Sequence, residues 1–161
     1  MNRSAKGFSL IELLIVVAII LIIAAIAIPN FLRSRVAANQ ASAVASLRTL
    51  NTAEVSYSLT FNTGFSADLL SLAPPVPADA NPTTTAAGLI DSILAAGIKS
   101  GYTFTYSPGP SDAIGTILTY SLTAGPFSSS TGSNYYYSDQ SGVIRQNSTT
   151  TATASDSPLA G

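Results

Sequence analysis

The first third of the chain is dominated by one long apolar segment. Between residues 8 and 29 almost every residue is apolar, and Ser9 and Glu12 are the polar interruptions. The segment is long enough to cross a bilayer as a helix, which takes ~20 residues for ~30 Å of hydrocarbon. The core of a signal peptide is shorter, at ~7–15 apolar residues followed by a cleavage site. We therefore expect this helix to remain in the mature protein.

A helical pattern continues beyond Pro29 with a different character. Apolar residues recur at spacings of three, four or seven, which indicates one stripe of an amphipathic helix: Val36, Ala43, Leu47, Leu50, Tyr57 and Phe61. Polar residues between them predict a solvent-exposed face: Arg35, Asn39, Gln40, Ser46, Arg48 and Asn51. The pattern predicts one helix over about residues 8–60. Proline cannot donate to the carbonyl of Ala25, so we expect a kink at Pro29.

The second half of the chain alternates with a period of two, as β-strands do. Strands are predicted at 102–106, 117–123, 135–138 and 143–146, the last two forming a hairpin. These strands would make a small antiparallel sheet of about four strands, packed on the apolar stripe of the helix. The predicted fold class is therefore α+β.

Three connecting or terminal segments complete the prediction. Residues 66–72 indicate a short helical turn, and a proline-rich loop follows it. Residues 85–96 predict a short helix that ends at Gly97. Residues 147–161 are rich in Ser, Thr and Ala with little to bury, which predicts a poorly ordered tail.

Composition argues against an enzyme. The chain contains no histidine and no cysteine, so the usual nucleophile–base pairs and zinc ligand sets are missing. Its carboxylates are scattered without a close pair for acid–base chemistry. We predict no catalytic residue, no cofactor and no metal site. With eight acidic and seven basic residues, the sequence also argues against nucleic acid as a partner.

The first 35 residues resemble the type IV pilin and pseudopilin family. A short basic leader ends in Gly7, the sequence Phe8-Ser9-Leu10-Ile11-Glu12 follows, and the apolar run then extends to Pro29. The resemblance implies a ladle-like pilin fold and cleavage by prepilin peptidase between Gly7 and Phe8. It also implies methylation of the new amino group of Phe8 and a role for Glu12 in filament assembly.

The same resemblance implies a division of the chain. Residues 1–7 would be the cleaved leader and 8–29 the transmembrane and filament-core helix. Residues 30–146 would be the globular head, which includes the amphipathic half of the helix, and 147–161 the tail. The precursor would cross the bacterial inner membrane once, in contact with lipid, the peptidase and the pilus assembly platform. Identical subunits would then form an extracellular helical filament.

Glu12 has two interpretations. A carboxylate within a membrane helix costs ~2.5–3.5 kcal/mol at mid-depth and less near an interface. In the first interpretation, the carboxylate extends to the lipid headgroups and has no other role. Alternatively it pairs with the charged amine that cleavage creates on Phe8, in its own or a neighbouring subunit. We favour the pairing, because an anchor alone needs neither the Gly7-Phe8 junction nor this carboxylate.

Pro29 is either a curvature device or a point where the helix loses regularity in the filament.

The function predicted from sequence is that of a structural subunit of a type IV pilus-like surface filament. One alternative is a pseudopilin of a type II secretion system, and another is a minor pilin that acts in adhesion or DNA uptake. The sequence leaves open whether the subunit is major or minor, the helical symmetry and the biological role of the filament. It also leaves open whether a glycan is attached at the Asn147-Ser148-Thr149 triplet.

Overall fold

The structure is a computed structural model that describes residues 7–159. Its elements are, in chain order, helix α1 (Leu10–Phe61), a 3₁₀ helix (Leu70–Leu72), helix α2 (Ser92–Ala95), and strands β1 (Ile98–Lys99), β2 (Tyr102–Pro108), β3 (Tyr120–Pro126), β4 (Tyr135–Asp139) and β5 (Arg145–Asn147). The five strands form one antiparallel sheet in the order β1-β2-β3-β4-β5. The long helix packs against this sheet, which confirms the predicted α+β class.

Two compact units divide the chain at residue 35. The first, called here the N-terminal unit, contains α1 up to Arg35. Its apolar side chains are exposed along the whole helix, and this helix is long and apolar enough to cross a membrane. The second, called here the head unit, begins at Val36 and contains the rest of α1, the sheet and the connecting loops.

The head unit has one hydrophobic core between α1 and the sheet. From the helix, Ala43, Leu47 and Leu50 are fully buried, as the apolar stripe predicts. From the sheet, alternate residues of β2 and β3 point inward, among them Tyr102 and Leu122. This alternation matches the predicted period of two and gives the sheet one buried face.

A row of polar contacts joins α1 to the sheet and its loops. The amide of Asn39 donates to the carbonyl oxygen of Thr131 (2.9 Å), and that of Gln40 donates to Ser133 Oγ (2.9 Å). These contacts leave Asn39 and Gln40 half-buried, whereas the sequence predicts a solvent-exposed face. Ser46, on the same predicted face, is buried.

The turn after α1 depends on left-handed backbone conformations. Asn62 has a φ of 55° and Gly64 a φ of 79°. A Cβ on Gly64 would lie 2.2 Å from the carbonyl oxygen of Ile117, so a larger residue cannot occupy this position. The neighbouring Phe65 N–H donates to the same carbonyl (2.8 Å), which ties the turn to the loop before β3.

Strand β3 begins at Tyr120, three residues later than predicted. Ile117 makes isolated bridges to Gly64 and Ser111 instead of extending the strand. In the alternating pattern Leu118 shares a face with Tyr120 and Leu122, but it is exposed whereas they are buried.

Helix α2 is much shorter than the predicted helix at residues 85–96. The N–H groups of residues 87–90 donate to the carbonyls of Ser71, Leu72 and Ala73, so they are not available for a helix of their own. Asp91 then caps α2 by accepting a hydrogen bond from the Leu94 N–H (2.9 Å).

The segment after β5 returns along the sheet rather than extending as the poorly ordered tail that its composition indicates. The Arg145 guanidinium donates to the carbonyl of Asp156 (2.9 Å), and the Asn147 amide donates to the Asp156 carboxylate (2.9 Å). Hydrogen bonds from the N–H and hydroxyl of Thr153 hold the pKa of Asp156 below its usual value. Ala152 is buried, so this segment contributes to the head unit.

Candidate assembly site at the start of the long helix

The sequence-predicted site residues Gly7, Phe8 and Glu12 lie at the start of α1. Gly7, Phe8 and Ser9 precede the helix, and the side chain of Phe8 is 84% exposed. The Gly7–Phe8 peptide bond therefore lies outside regular secondary structure, as a protease substrate usually must. Glu12 follows within the first helical turn and is also exposed.

Glu12 caps the helix. The Ser9 carbonyl accepts the hydrogen bond of the Leu13 N–H (3.2 Å), which makes Ser9 the N-cap residue. One carboxylate oxygen of Glu12, Oε2, accepts a hydrogen bond from the Ser9 N–H at 2.8 Å. This contact is one half of a capping box, and a negative charge in the first turn is also favoured by the helix dipole.

The capping contact is a local role for Glu12 that neither sequence interpretation included. The signal was present, because Ser9 and Glu12 have the S-x-x-E spacing of a capping box. The contact occupies one carboxylate oxygen. Within residues 7–159 the other oxygen, Oε1, makes no hydrogen bond and is free for a second partner.

Pro29 lies inside α1, which continues through it to Phe61. Since proline has no N–H, the carbonyl of Ala25 loses its usual helical partner. One turn further on, the Ser34 hydroxyl donates to the carbonyl of Asn30 (3.0 Å). Pro29 is thus a local weak point in the backbone bonding of the N-terminal unit, and it lies 17 positions from Glu12.

Comparison with known proteins places the start of the chain in a recognised group. Residues 2–28 match the family model described as the prokaryotic N-terminal methylation motif. Over 56 residues, 35% of this chain and 26% of the relative, the sequence is 52% identical to the type IV major pilin protein PilA of Myxococcus xanthus. Over 37 residues, 23% of this chain and 28% of the relative, it is 68% identical to the type IV wide pilus major component PilA4 of Thermus thermophilus.

The N-terminal segment is similar to that of type IV pilins. The matched residues span about a quarter of the length of each of these two relatives. No solved structure matches the chain significantly. The likeness to pilins therefore rests on the N-terminal segment, and the α+β head unit agrees with it.

The described residues offer little for other chemistry. Within residues 7–159 no group of three or more acidic residues could hold a metal ion. In the Asn147-Ser148-Thr149 triplet, both the oxygen and the nitrogen of the Asn147 side-chain amide form hydrogen bonds. Its oxygen accepts hydrogen bonds from the Thr149 N–H (2.9 Å) and the Thr150 N–H (3.2 Å), and its nitrogen donates to Asp156.

Proposed function

We propose that this protein is a structural subunit of a type IV pilus-like filament, built from a membrane-anchored precursor. The observation that carries the proposal is the structure of the N-terminal unit. It is a continuous apolar helix, exposed along its length, and the carboxylate of Glu12 caps its start. Both relatives are described as major pilus components, which supports the role of a pilus subunit.

The exposed apolar helix needs two successive environments. In the precursor, lipid would cover residues 8–29, because their side chains have no protein partner within the unit. In the filament, the same side chains would pack against those of neighbouring subunits. The small residues Ala18, Ala24, Ala25 and Ala27 would let neighbouring helices approach closely. Contact between helices would replace contact with lipid, which keeps extraction from the membrane energetically feasible.

Processing would create the second partner of Glu12. Prepilin peptidase would cut after Gly7, and the amine of Phe8 would then be methylated. This amine is positively charged at neutral pH, whereas the same nitrogen in the precursor is a neutral amide. The free Oε1 of Glu12 would accept from the amine of a neighbouring subunit while Oε2 keeps the cap on Ser9. A charge pair in an apolar surrounding is much stronger than in water.

A pair of substitutions separates the charge of Glu12 from its capping role. Glu12→Gln keeps an acceptor for the Ser9 N–H, since glutamine also serves in capping boxes, but removes the charge. Glu12→Leu removes both. We expect both variants to be cleaved normally and to give at least tenfold fewer surface filaments. The measurements are immunoblotting of precursor and mature subunit and quantification of sheared filaments.

The control for these variants is Ser34→Ala, which removes a polar side chain from an exposed part of the same unit and leaves Glu12 unchanged. It should assemble normally. Normal filament yield in Glu12→Gln, with loss only in Glu12→Leu, would show that the cap alone matters and would refute the charge pairing.

A further inference from the structure

Glu54 is a carboxyl group that the proposed function does not use. It lies on α1 inside the head unit, and its side chain is fully buried. Oε2 accepts a hydrogen bond from the Ser66 N–H (2.9 Å), and Oε1 lies 2.6 Å from Ser66 Oγ. Within residues 7–159 the one ion pair joins Lys99 to Asp91, so no cation neutralises Glu54. A buried charge without a partner is strongly unfavourable.

The hydrogen bonds around Ser66 can be counted proton by proton. Ser66 Oγ lies within bonding distance of two acceptors, Glu54 Oε1 (2.6 Å) and the carbonyl of Asp68 (3.0 Å). The hydroxyl has a single proton, so it can satisfy only one of them. The Tyr106 hydroxyl lies 2.8 Å from the Ser66 carbonyl, to which it donates its own single proton. An ionised Glu54 therefore leaves this network one proton short.

A proton on Glu54 completes the network. The carboxylic acid then donates from Oε1 to Ser66 Oγ, and Ser66 donates to the Asp68 carbonyl. The Ser66 N–H still donates to Oε2, and Tyr106 to the Ser66 carbonyl. Four hydrogen bonds are formed by four protons, and no buried charge remains.

The groups that face Glu54 also favour its neutral form. Tyr106 approaches from β2 and Tyr120 from β3, while Tyr57 lies on α1. None of them is a cation. Burial raises the pKa of Glu54 above its ordinary value, and the hydrogen bonds from Ser66 offset this only in part. Burial also raises the pKa values of Tyr106 and Tyr120, so both remain neutral beside it.

We propose that Glu54 is a neutral carboxylic acid in the folded head unit and acts as a pH-sensitive lock between α1 and the loop that carries Ser66. After loss of its proton, the Ser66 hydroxyl can donate to Glu54 Oε1 or to the Asp68 carbonyl but not to both, and an unpaired charge lies in the core. The lock is closed in acid and weakens as the pH rises.

The sign of the pH dependence follows from linkage. The unfolded chain releases this proton near pH 4.5, the ordinary value, whereas the folded chain holds it to higher pH. Its stabilising contribution is therefore complete below the unfolded pKa and is lost as the pH rises toward the folded pKa. The sequence contains no histidine, the side chain whose unperturbed pKa lies in the range of about pH 5 to 8.

Urea unfolding of the full chain in detergent micelles tests the lock. From about pH 5 to 7 the folding equilibrium constant of the wild type should fall by up to about tenfold per pH unit. Glutamine has the shape of the protonated acid and can both donate to Ser66 Oγ and accept from the Ser66 N–H, so Glu54→Gln should abolish this dependence. Asp79→Asn, which removes an exposed carboxylate from the same unit, should keep the wild-type dependence. A wild type whose stability does not change over this range would overturn the proposal.

Carboxyl-carbon NMR of glutamate-labelled wild type gives an answer that does not depend on how the variant folds. The mature chain has two glutamates, Glu12 and Glu54, so two signals are expected, and Glu12→Gln assigns them. The Glu54 signal should titrate at a higher pH than the ordinary glutamate pKa. Titration of that signal at the ordinary glutamate pKa would overturn the proposal.

Discussion

Two leucines on α1 show how the position of a residue on the helix determines its contribution to the stability of the fold. Leu47 belongs to the apolar stripe and is fully buried between helix and sheet. Leu59 lies off the stripe, and 80% of its side chain is exposed. The helical period of 3.6 residues assigns both positions correctly, because the sheet covers only one face of the helix.

Replacing each leucine by alanine should separate the two positions. Leu47→Ala leaves a cavity in the core and should lower the free energy of unfolding by about 2–5 kcal/mol. Leu59→Ala, the matched control, should change it by less than about 0.5 kcal/mol. Urea unfolding of the full chain in micelles measures both, and equal losses would contradict the burial described for α1.

Polar residues were harder to place from the sequence than apolar ones. Glu54 and Ser66 are separated by 12 positions and meet only because the chain turns back at Asn62 and Gly64. Asn51 donates to Ser138 Oγ (2.8 Å) and accepts from the Tyr120 hydroxyl (3.1 Å), which are 87 and 69 positions away. The periodicity of apolar and polar positions along a helix cannot reveal partners so distant in sequence. A prediction from it therefore places a half-buried polar residue on the solvent-exposed face.

At the scale of elements, short-range patterns predicted the long helix and the sheet but not the details of the connections. The helix and the alternating strands each repeat a local rule over many residues. The segment at residues 87–90 follows no such rule, because its N–H groups donate to the carbonyls of residues 71–73. Strand β1 has two residues, which is too short for any alternation to be seen.

Pro29 is the element-scale feature with the clearest expected effect. Proline in a helix interior costs about 3 kcal/mol relative to alanine. Pro29→Ala restores the bond to the Ala25 carbonyl, so amides of residues 29–33 should exchange with solvent more slowly in micelles. Ile28→Ala, at the neighbouring position, leaves the backbone donors unchanged and should not slow exchange.

We propose that Pro29 also affects the filament, because a helix that yields at this point can adjust its packing. Filaments of Pro29→Ala should therefore differ from wild type in extensibility under force. Unchanged exchange rates in micelles and unchanged extensibility of the filaments would contradict both roles of Pro29.

At the scale of the whole molecule, the two units have opposite surface chemistry. The N-terminal unit exposes a continuous apolar surface, whereas the head unit buries many of its apolar residues in a single core. The first could be predicted almost entirely from sequence, because an apolar run and a short motif are local signals. The second could be predicted in class but not in its polar contacts, which depend on the tertiary fold.

The proposed assembly requires that the subunit enter the filament only after a specific cut. Cleavage after Gly7 would remove two of the seven basic residues, Arg3 and Lys6, and would create the charged amine of Phe8. Both changes occur at one peptide bond, so the identity of the mature N-terminus tests the central claim.

The direct measurement is electron microscopy of sheared surface filaments together with mass spectrometry of their subunit. We expect filaments composed mainly of this chain, with a mature subunit that begins at Phe8 and has a methylated amine. Filaments whose subunit retains residues 1–7 or begins at another residue would contradict the proposed processing, and surface filaments that lack this chain would contradict its role as their subunit.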